Sequence, residues 1–382
     1  MKNFDVIIIG AGSVGVPLSF YLSKKGLKVG VIEKLASEGR GQNRAAIGGI
    51  RATFSDPAKI KICRISIEQL KNMNDEYGKD VDWMQGGYLY PVYDSKTENN
   101  LKTLLKIQKK FDLNIEWVDA KKINELVPGI NNTNLLGGTF SPEDGSASPL
   151  KVTGAYLSLA RKSGAQFFFN EEVIKIILKN NKIISVETPK EIYSAEYVIN
   201  AAGADAKEIG ELMNINIPVQ SDCHEAGITE PVEHFFKPMV VDIRSDEQSA
   251  NYYFYQNKEG QVVFCITPKP PIIGKDNDNT STFLPLVIHR MLDLYPRLRN
   301  LRVRRTWRGL YPNTPDAFPI VGWTKEIENL FLTVGMCGQG FMIGPGLGYI
   351  VADIIADNTD KYNFITEQLT LYRNFTGEEI LK

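Results

Sequence analysis

Cysteine and histidine are scarce in this 382-residue chain: four of the first, at Cys63, Cys223, Cys265 and Cys337, and three of the second. No CxxC pair and no neighbouring histidines occur, which excludes the ligand spacing of a zinc site and the clustered cysteines of a disulfide framework. Isolated thiols suit a reducing compartment, so the expected location is the cytoplasm. Net charge is lacking as well. Lys and Arg number 44 against 45 Asp and Glu, leaving −1, so the chain carries no basic footprint for nucleic acid. Its one basic cluster, Arg297 to Arg308, is brief and interleaved with apolar residues, as in a strand. No stretch approaches the roughly 18 apolar residues of a membrane span. The first apolar run, from Asp5, reads as part of the fold and not as a secretory signal. Internal repeats and low-complexity tracts are missing too.

Glycine, by contrast, is plentiful, with 32 residues, and it gathers in three distant segments: Gly10 to Gly15, Ala46 to Arg51, and Gly335 to Gly346. The first follows Asp5-Val6-Ile7-Ile8-Ile9, a β-branched run that reads as a buried parallel strand. In GAGSVG, Gly10 turns the chain, Gly12 lets backbone approach a pyrophosphate, and Gly15 lets the next helix pack on the strand. That helix, expected over about 13–25, begins at Ser13 and offers its unpaired amides to a diphosphate. A second strand, expected over 28–32, ends at Glu33, where a carboxylate accepts both ribose hydroxyls and disfavours a 2′-phosphate. Dinucleotide binding follows, and NADP is not expected.

The second segment decides which dinucleotide. Asn43, Arg44, Ala45, Gly48, Gly49 and Ile50 belong to a loop that an NAD domain does not need, whereas the ribityl chain and ring system of FAD must pass a second stretch of close backbone. The third segment follows an apolar strand over 330–334. Gly335, Gly338, Gln339, Gly340, Phe341 and Met342 then lead into a helix expected over about 345–357, opened by Pro345 in its first turn. A helix N-terminus facing the flavin would stabilise the anionic reduced ring. FAD is the cofactor these segments imply.

Candidates for substrate contact come from the middle of the chain. Asn251 to Gln256 and Gln261 to Ile266 read as a hairpin, with Tyr253 and Tyr255 on one face and Tyr252 and Phe254 on the other. The Tyr253 and Tyr255 side either covers the flavin and substrate or is plain core. His224 is either a base or a structural residue. Arg308 ends an alternating run with Arg302, Arg304 and Thr306 on one face; it either reaches the substrate or is solvated with the others.

With these motifs in place, the chain resembles the D-amino-acid oxidase-like flavoprotein superfamily, in its sarcosine oxidase β-subunit and L-proline dehydrogenase β-subunit branch. The resemblance runs from Val6 through Val198-Ile199-Asn200-Ala201-Ala202-Gly203 and Thr314 to Gly322, and on to GMCGQGF. It implies cofactor contacts from Ala202 and Gly203 and oxidation of an amino acid or N-methyl amino acid such as proline, sarcosine or glycine. It also implies a carboxylate-binding role for Arg51, whose alternatives are an FAD phosphate contact or a plain strand end. Val173 corresponds to the position whose backbone meets adenine, or is ordinary strand core. Three departures matter. Gly309 stands where monomeric sarcosine oxidases carry their flavin-linked cysteine, so FAD is expected to be noncovalent. Met342 replaces their substrate-binding lysine. Tyr311 replaces the carboxylate-clamping arginine of D-amino-acid and glycine oxidases.

Loss of that lysine favours a dehydrogenase that passes electrons to a flavin or iron–sulfur subunit of a hetero-oligomer, over an oxidase making peroxide. A flavin-dependent 2-hydroxy acid or glycerol phosphate enzyme is the alternative from another class, as is a subunit that only supports a complex. The chain is long enough for two domains. The expected architecture is α/β, α+β overall: a discontinuous Rossmann-like FAD domain over 1–81, 148–220 and 305–382, and a substrate domain with a mixed or antiparallel sheet over 82–147 and 221–304. The polar loop 274–282 is expected to be mobile.

Overall fold

In the computed structural model, which describes residues 1–377 together with Glu379 and Leu381, the β-branched run near the start forms strand Lys2–Ile9 at the centre of a sheet. Val6 and Ile8 enter one hydrophobic cluster while Phe4, Ile7 and Ile9 enter another. A strand covered on both faces is apolar at successive positions, as this one is. Strands Val29–Glu33 and Ile192–Asn200 flank it in parallel, followed outward by Gln166–Phe169 and Leu330–Val334, also parallel. Ile320–Trp323 closes one edge antiparallel.

Helix Gly15–Lys24 packs beside this sheet with helices Pro57–Tyr77 and Gly340–Asp357. The second of these obeys local rules at both ends. Asp56 caps its start by accepting from Lys59 N at 2.8 Å, Pro57 opens the first turn, and Gly78 ends it in the left-handed region at φ 63°. The third does not. It begins at Gly340 and encloses Pro345, which corrects the start expected at that proline. The helix is wedged between its two neighbours: a Cβ on Gly344 would lie 2.0 Å from the Ser13 carbonyl, and one on Gly346 2.1 Å from that of Ile62. Burial of the turn before Pro345 outweighs the one backbone hydrogen bond the proline forgoes. The same helix, 18 residues long, is apolar and long enough to cross a membrane among the described residues. That corrects the expectation that no stretch comes near a span, and 67% of it is buried inside the fold.

A second sheet of eight strands runs in the order Val303–Asn313, Gln220–Pro231, Gln261–Pro268, Ser249–Gln256, Met239–Asp242, Tyr88–Val92, Gly137–Ser141, Glu116–Val118. All neighbours are antiparallel except Met239–Asp242 beside Tyr88–Val92. Its two faces differ. Leu89, Val240, Tyr252, Phe254 and Phe264 pack with helix Phe283–Leu294, while the alternate residues face the first sheet's glycine loops across a cavity. The division drawn at 304/305 falls inside strand Val303–Asn313, which pairs along its length with Gln220–Pro231 of this sheet.

Candidate active site

The cavity opens at the first glycine turn. Gly10 sits at φ 109°, and a Cβ there would lie 2.5 Å from the Ala201 carbonyl; only glycine fits. Gly12 has nothing within 4 Å on its Cβ side and lines the cavity with Ser13. Gly15 lies off it, holding the helix against the Gly10 carbonyl, where a Cβ would be 2.0 Å away. Glu33 reaches back across the turn: Oε2 accepts Ala11 N at 2.8 Å and Oε1 accepts Leu35 N at 2.9 Å. Burial raises the pKa of this carboxyl and the two amides oppose that. Each oxygen keeps a lone pair for a ligand hydroxyl. Ala202 and Gly203 line the same end, and Val173 borders an adjoining recess with Gly10, Glu33 and Ala202.

Along the second loop, Asn43 is buried and gives Nδ2 to Pro149 O at 3.0 Å and Thr153 Oγ1 at 2.7 Å, leaving Oδ1 without a partner. Ala45, Gly48 and Gly49 line the cavity beside it. Two neighbours do not. Arg44 is exposed, and Ile50 is buried in the hydrophobic core, because the short strand Gly49–Ile50 pairs with Gly145–Ser146 and alternation sends successive side chains to opposite sides. In the third segment Gly338, Gln339, Gly340, Phe341 and Met342 line the cavity. Gln339 Oε1 is buried with no partner. Gly335 stands outside, against Thr314. Two orphaned acceptors beside an open glycine turn fit a long ligand rich in hydroxyl donors, which describes FAD.

The opposite wall is the second sheet. Its cavity-facing residues include Tyr88, Tyr90, Met239, Asn251, Thr267 and Cys265, none of them singled out from the sequence for substrate contact, together with His224, Tyr253 and Tyr311. Tyr253 and Tyr311 join hydroxyl to hydroxyl at 2.7 Å, and burial holds both phenols far above their usual range. Burial likewise pushes the Cys265 thiol up to about 11, so it is a neutral wall group. His224 Nε2 meets Asp222 Oδ1 at 3.1 Å, while Nδ1 is buried without a partner.

Two candidates fall elsewhere. The Tyr255 hydroxyl donates to Ile47 O and lies against Gly48, bracing the glycine loop from behind the cavity wall. Arg308 pairs with Glu225 in register, one step from the His224 and Gly309 pair, so it points to the other face. There it bonds Asp276 Oδ2 at 2.8 Å and Asp278 O at 3.1 Å. These bonds, with Thr280 N on Glu225 Oε1 at 2.7 Å, tie down the loop expected to be mobile.

Arg51 lines the cavity at the edge of the aromatic wall. Its guanidinium lies 3.9 Å from the centroid of Phe54 and donates to Thr53 O and Leu381 O. The remaining N–H groups are free for a ligand. Asp144 sits across the hairpin, accepting Ala52 N at 2.9 Å and holding the loop that carries Arg51.

A doubly faced parallel sheet, a glycine-built dinucleotide cleft and an aromatic wall facing it define a flavin-type oxidoreductase. The model of the FAD dependent oxidoreductase (DAO) family matches residues 5–354, and the chain belongs to that family. Human mitochondrial dimethylglycine dehydrogenase is 25% identical over 97% of the chain, which spans about half that relative's length, 45%. Sarcosine oxidase subunit beta of Arthrobacter sp is 25% identical over 99% of the chain and 93% of the relative. The crystal structure of L-proline dehydrogenase from P.horikoshii superposes with a TM-score of 0.91 at 31% identity, covering 97% of this chain and 98% of that one.

Proposed function

We propose that this chain oxidises a small amino acid or N-methyl amino acid of the proline, sarcosine and glycine type to the corresponding imine. The observation that carries this is the presence, along one cavity, of a buried guanidinium and of an unpaired imidazole nitrogen on the facing sheet: Arg51 for a carboxylate and His224 Nδ1 for an ammonium proton. Asp222 accepts only, so Nε2 of a neutral His224 carries the hydrogen and Nδ1 is left as acceptor. Arg51 anchors the carboxylate through charge-assisted bonds. Tyr253, Tyr311 and Met239 exclude water around the nitrogen, which favours the neutral amine. FAD, held by Glu33, Gly12, Asn43 and Gln339, supplies the two-electron sink when bound. With no linking cysteine at Gly309, whose Cβ position lies 2.5 Å from Ala45, the cofactor is held without a covalent bond.

The proposed physiological acceptor is a flavin or iron–sulfur partner subunit, since the lysine lining the cavity is Lys34, at the Glu33 end. The names of the relatives support both a β-subunit and a dehydrogenase assignment. One feature supports a second reading: an Asp222–His224 pair could also deprotonate an alcohol. Anaerobic mixing of the purified holoprotein with L-proline, sarcosine, glycine, L-lactate and glycerol 3-phosphate separates them. Flavin bleaching by an amino acid is expected, whereas bleaching by the alcohols alone overturns the proposal. Acid precipitation should release the flavin to the supernatant, and rapid peroxide formation in air would remove the dehydrogenase assignment.

A further inference from the structure

Three polar residues lie side by side across adjacent strands of the cavity wall. Asn251 pairs with Thr267 in register, and the register that pairs Glu225 with Ile266 sets His224 next to Thr267. All three line the cavity. Two of them end in acceptors that nothing satisfies: His224 Nδ1 and Asn251 Oδ1, on residues 5% and 8% exposed. Native structures leave few buried polar atoms unpaired, and two in one row of residues along a cavity wall mark a place where a ligand brings donors. Asp222 is an acceptor already engaged with the other imidazole nitrogen, and neither Thr267 nor the bonded pair Tyr253 and Tyr311 makes a hydrogen bond to either atom.

Building on the amino-acid assignment proposed above, we infer that the His224–Thr267–Asn251 row is the subsite for the substrate nitrogen, and that it selects amines carrying at least two N–H bonds in their protonated form. A secondary or primary ammonium brings two or more donors. One N–H faces His224 Nδ1 and yields its proton there; a second remains bonded to Asn251 Oδ1 and fixes the nitrogen after deprotonation. Thr267, between them, can accept from or donate to either. A tertiary ammonium has a single N–H, so it leaves Asn251 Oδ1 buried and unpaired, a penalty that discriminates strongly between otherwise similar ligands.

The test uses holoprotein with its flavin reduced by dithionite, so that nothing is turned over, and two ring acids of similar shape, L-proline with two N–H bonds when protonated and N-methyl-L-proline with one, their binding read by calorimetry. The wild type should bind L-proline at least about tenfold more tightly, and Asn251→Leu should remove that preference while retaining affinity for N-methyl-L-proline. Asn251→Asp, which keeps an acceptor in place, should preserve the preference and serves if the leucine variant does not fold. Turnover should follow the same order, with sarcosine favoured over N,N-dimethylglycine in the wild type and the ratio falling in Asn251→Leu. Equal binding of the two acids to the wild type, or a preference untouched in Asn251→Leu, overturns the subsite. Absence of flavin reduction by any amino acid, with the N–H preference intact, would instead count against the broader function alone.

Discussion

The imidazole of His224 lies flat on the phenol ring of Tyr311, their centroids 3.6 Å apart and their planes 13° from parallel. The strand register makes room for this: His224 is paired with Gly309, which has no side chain, and Asp222 with Tyr311. The ring, bonded to Asp222 at one nitrogen, is therefore held in a single orientation, with the other nitrogen buried and without a partner. Replacing His224→Gln removes the proton acceptor and keeps most of the volume. Flavin reduction by sarcosine at neutral pH should slow by about a hundredfold, and recover as pH rises and free amine becomes abundant in solution. Stopped-flow rates across pH check this; a variant with the wild-type profile would assign His224 a packing role only.

Arg51→Lys tests the carboxylate anchor. A point charge on a flexible stem cannot reproduce the fork that contacts Thr53 O, Leu381 O and the ligand together. KM for an amino acid should rise about 10- to 100-fold, corresponding to roughly 1.4–3 kcal/mol of lost charge-assisted bonding, with a smaller change in kcat. Steady-state kinetics at saturating acceptor measure the split.

Glu33→Gln addresses the dinucleotide. The amide keeps one acceptor for Ala11 N or Leu35 N but loses the charge that both amides stabilise. FAD affinity should fall by about tenfold or more, seen as release of free flavin fluorescence on dilution, while NADP should not substitute.

Stability should depend on Asp144. Burial pushes this carboxyl up to about 7 from an ordinary 3.8, opposed by Ala52 N and the charge of Arg51. An acid whose folded pKa exceeds its unfolded one binds more protons when folded. Its ionisation therefore costs stability progressively between about pH 4 and pH 7 and leaves that cost in place above, at about 1.4 kcal/mol for each tenfold difference in proton affinity between the folded and unfolded chain. Asp144→Asn cannot ionise and should flatten this slope in unfolding temperatures measured across about pH 4 to 9. An unchanged slope would locate the linkage elsewhere.

The nucleotide half was readable because each part of it is a local requirement. Val6 to Ile9 must be a doubly covered strand, Gly10 must take a positive φ, and Glu33 must end the next strand at the right distance. Helix Gly340–Asp357 starts a turn or more ahead of its sequence signal for the opposite reason. Pro345 is a local start signal, but packing of Gly344 on the turn at Ser13 and of Gly346 on helix Pro57–Tyr77 determines where the helix begins. In the wall over the cavity, period-two alternation put Tyr253 and Tyr255 on one face, yet gave no means of separating Tyr253, which reaches the cavity, from Tyr255, which braces the loop behind it. The same alternation grouped Arg308 with Arg302 and Arg304, but Arg308 faces away from the cavity, and a register shift between Arg305 and Val303 breaks the alternation before Arg302 is reached.

Asn251 and Thr267 carried no signal at all. Each is an ordinary polar residue in a strand, and they become a site only because antiparallel registers set them beside His224 with no partner in reach. Sequence by itself determined the cofactor cleft, since glycine spacing and a terminal carboxylate act over a few residues of backbone. Tertiary structure alone decided the substrate wall, because which side chains share a face and which acceptors stay unpaired depend on contacts between strands far apart in the chain.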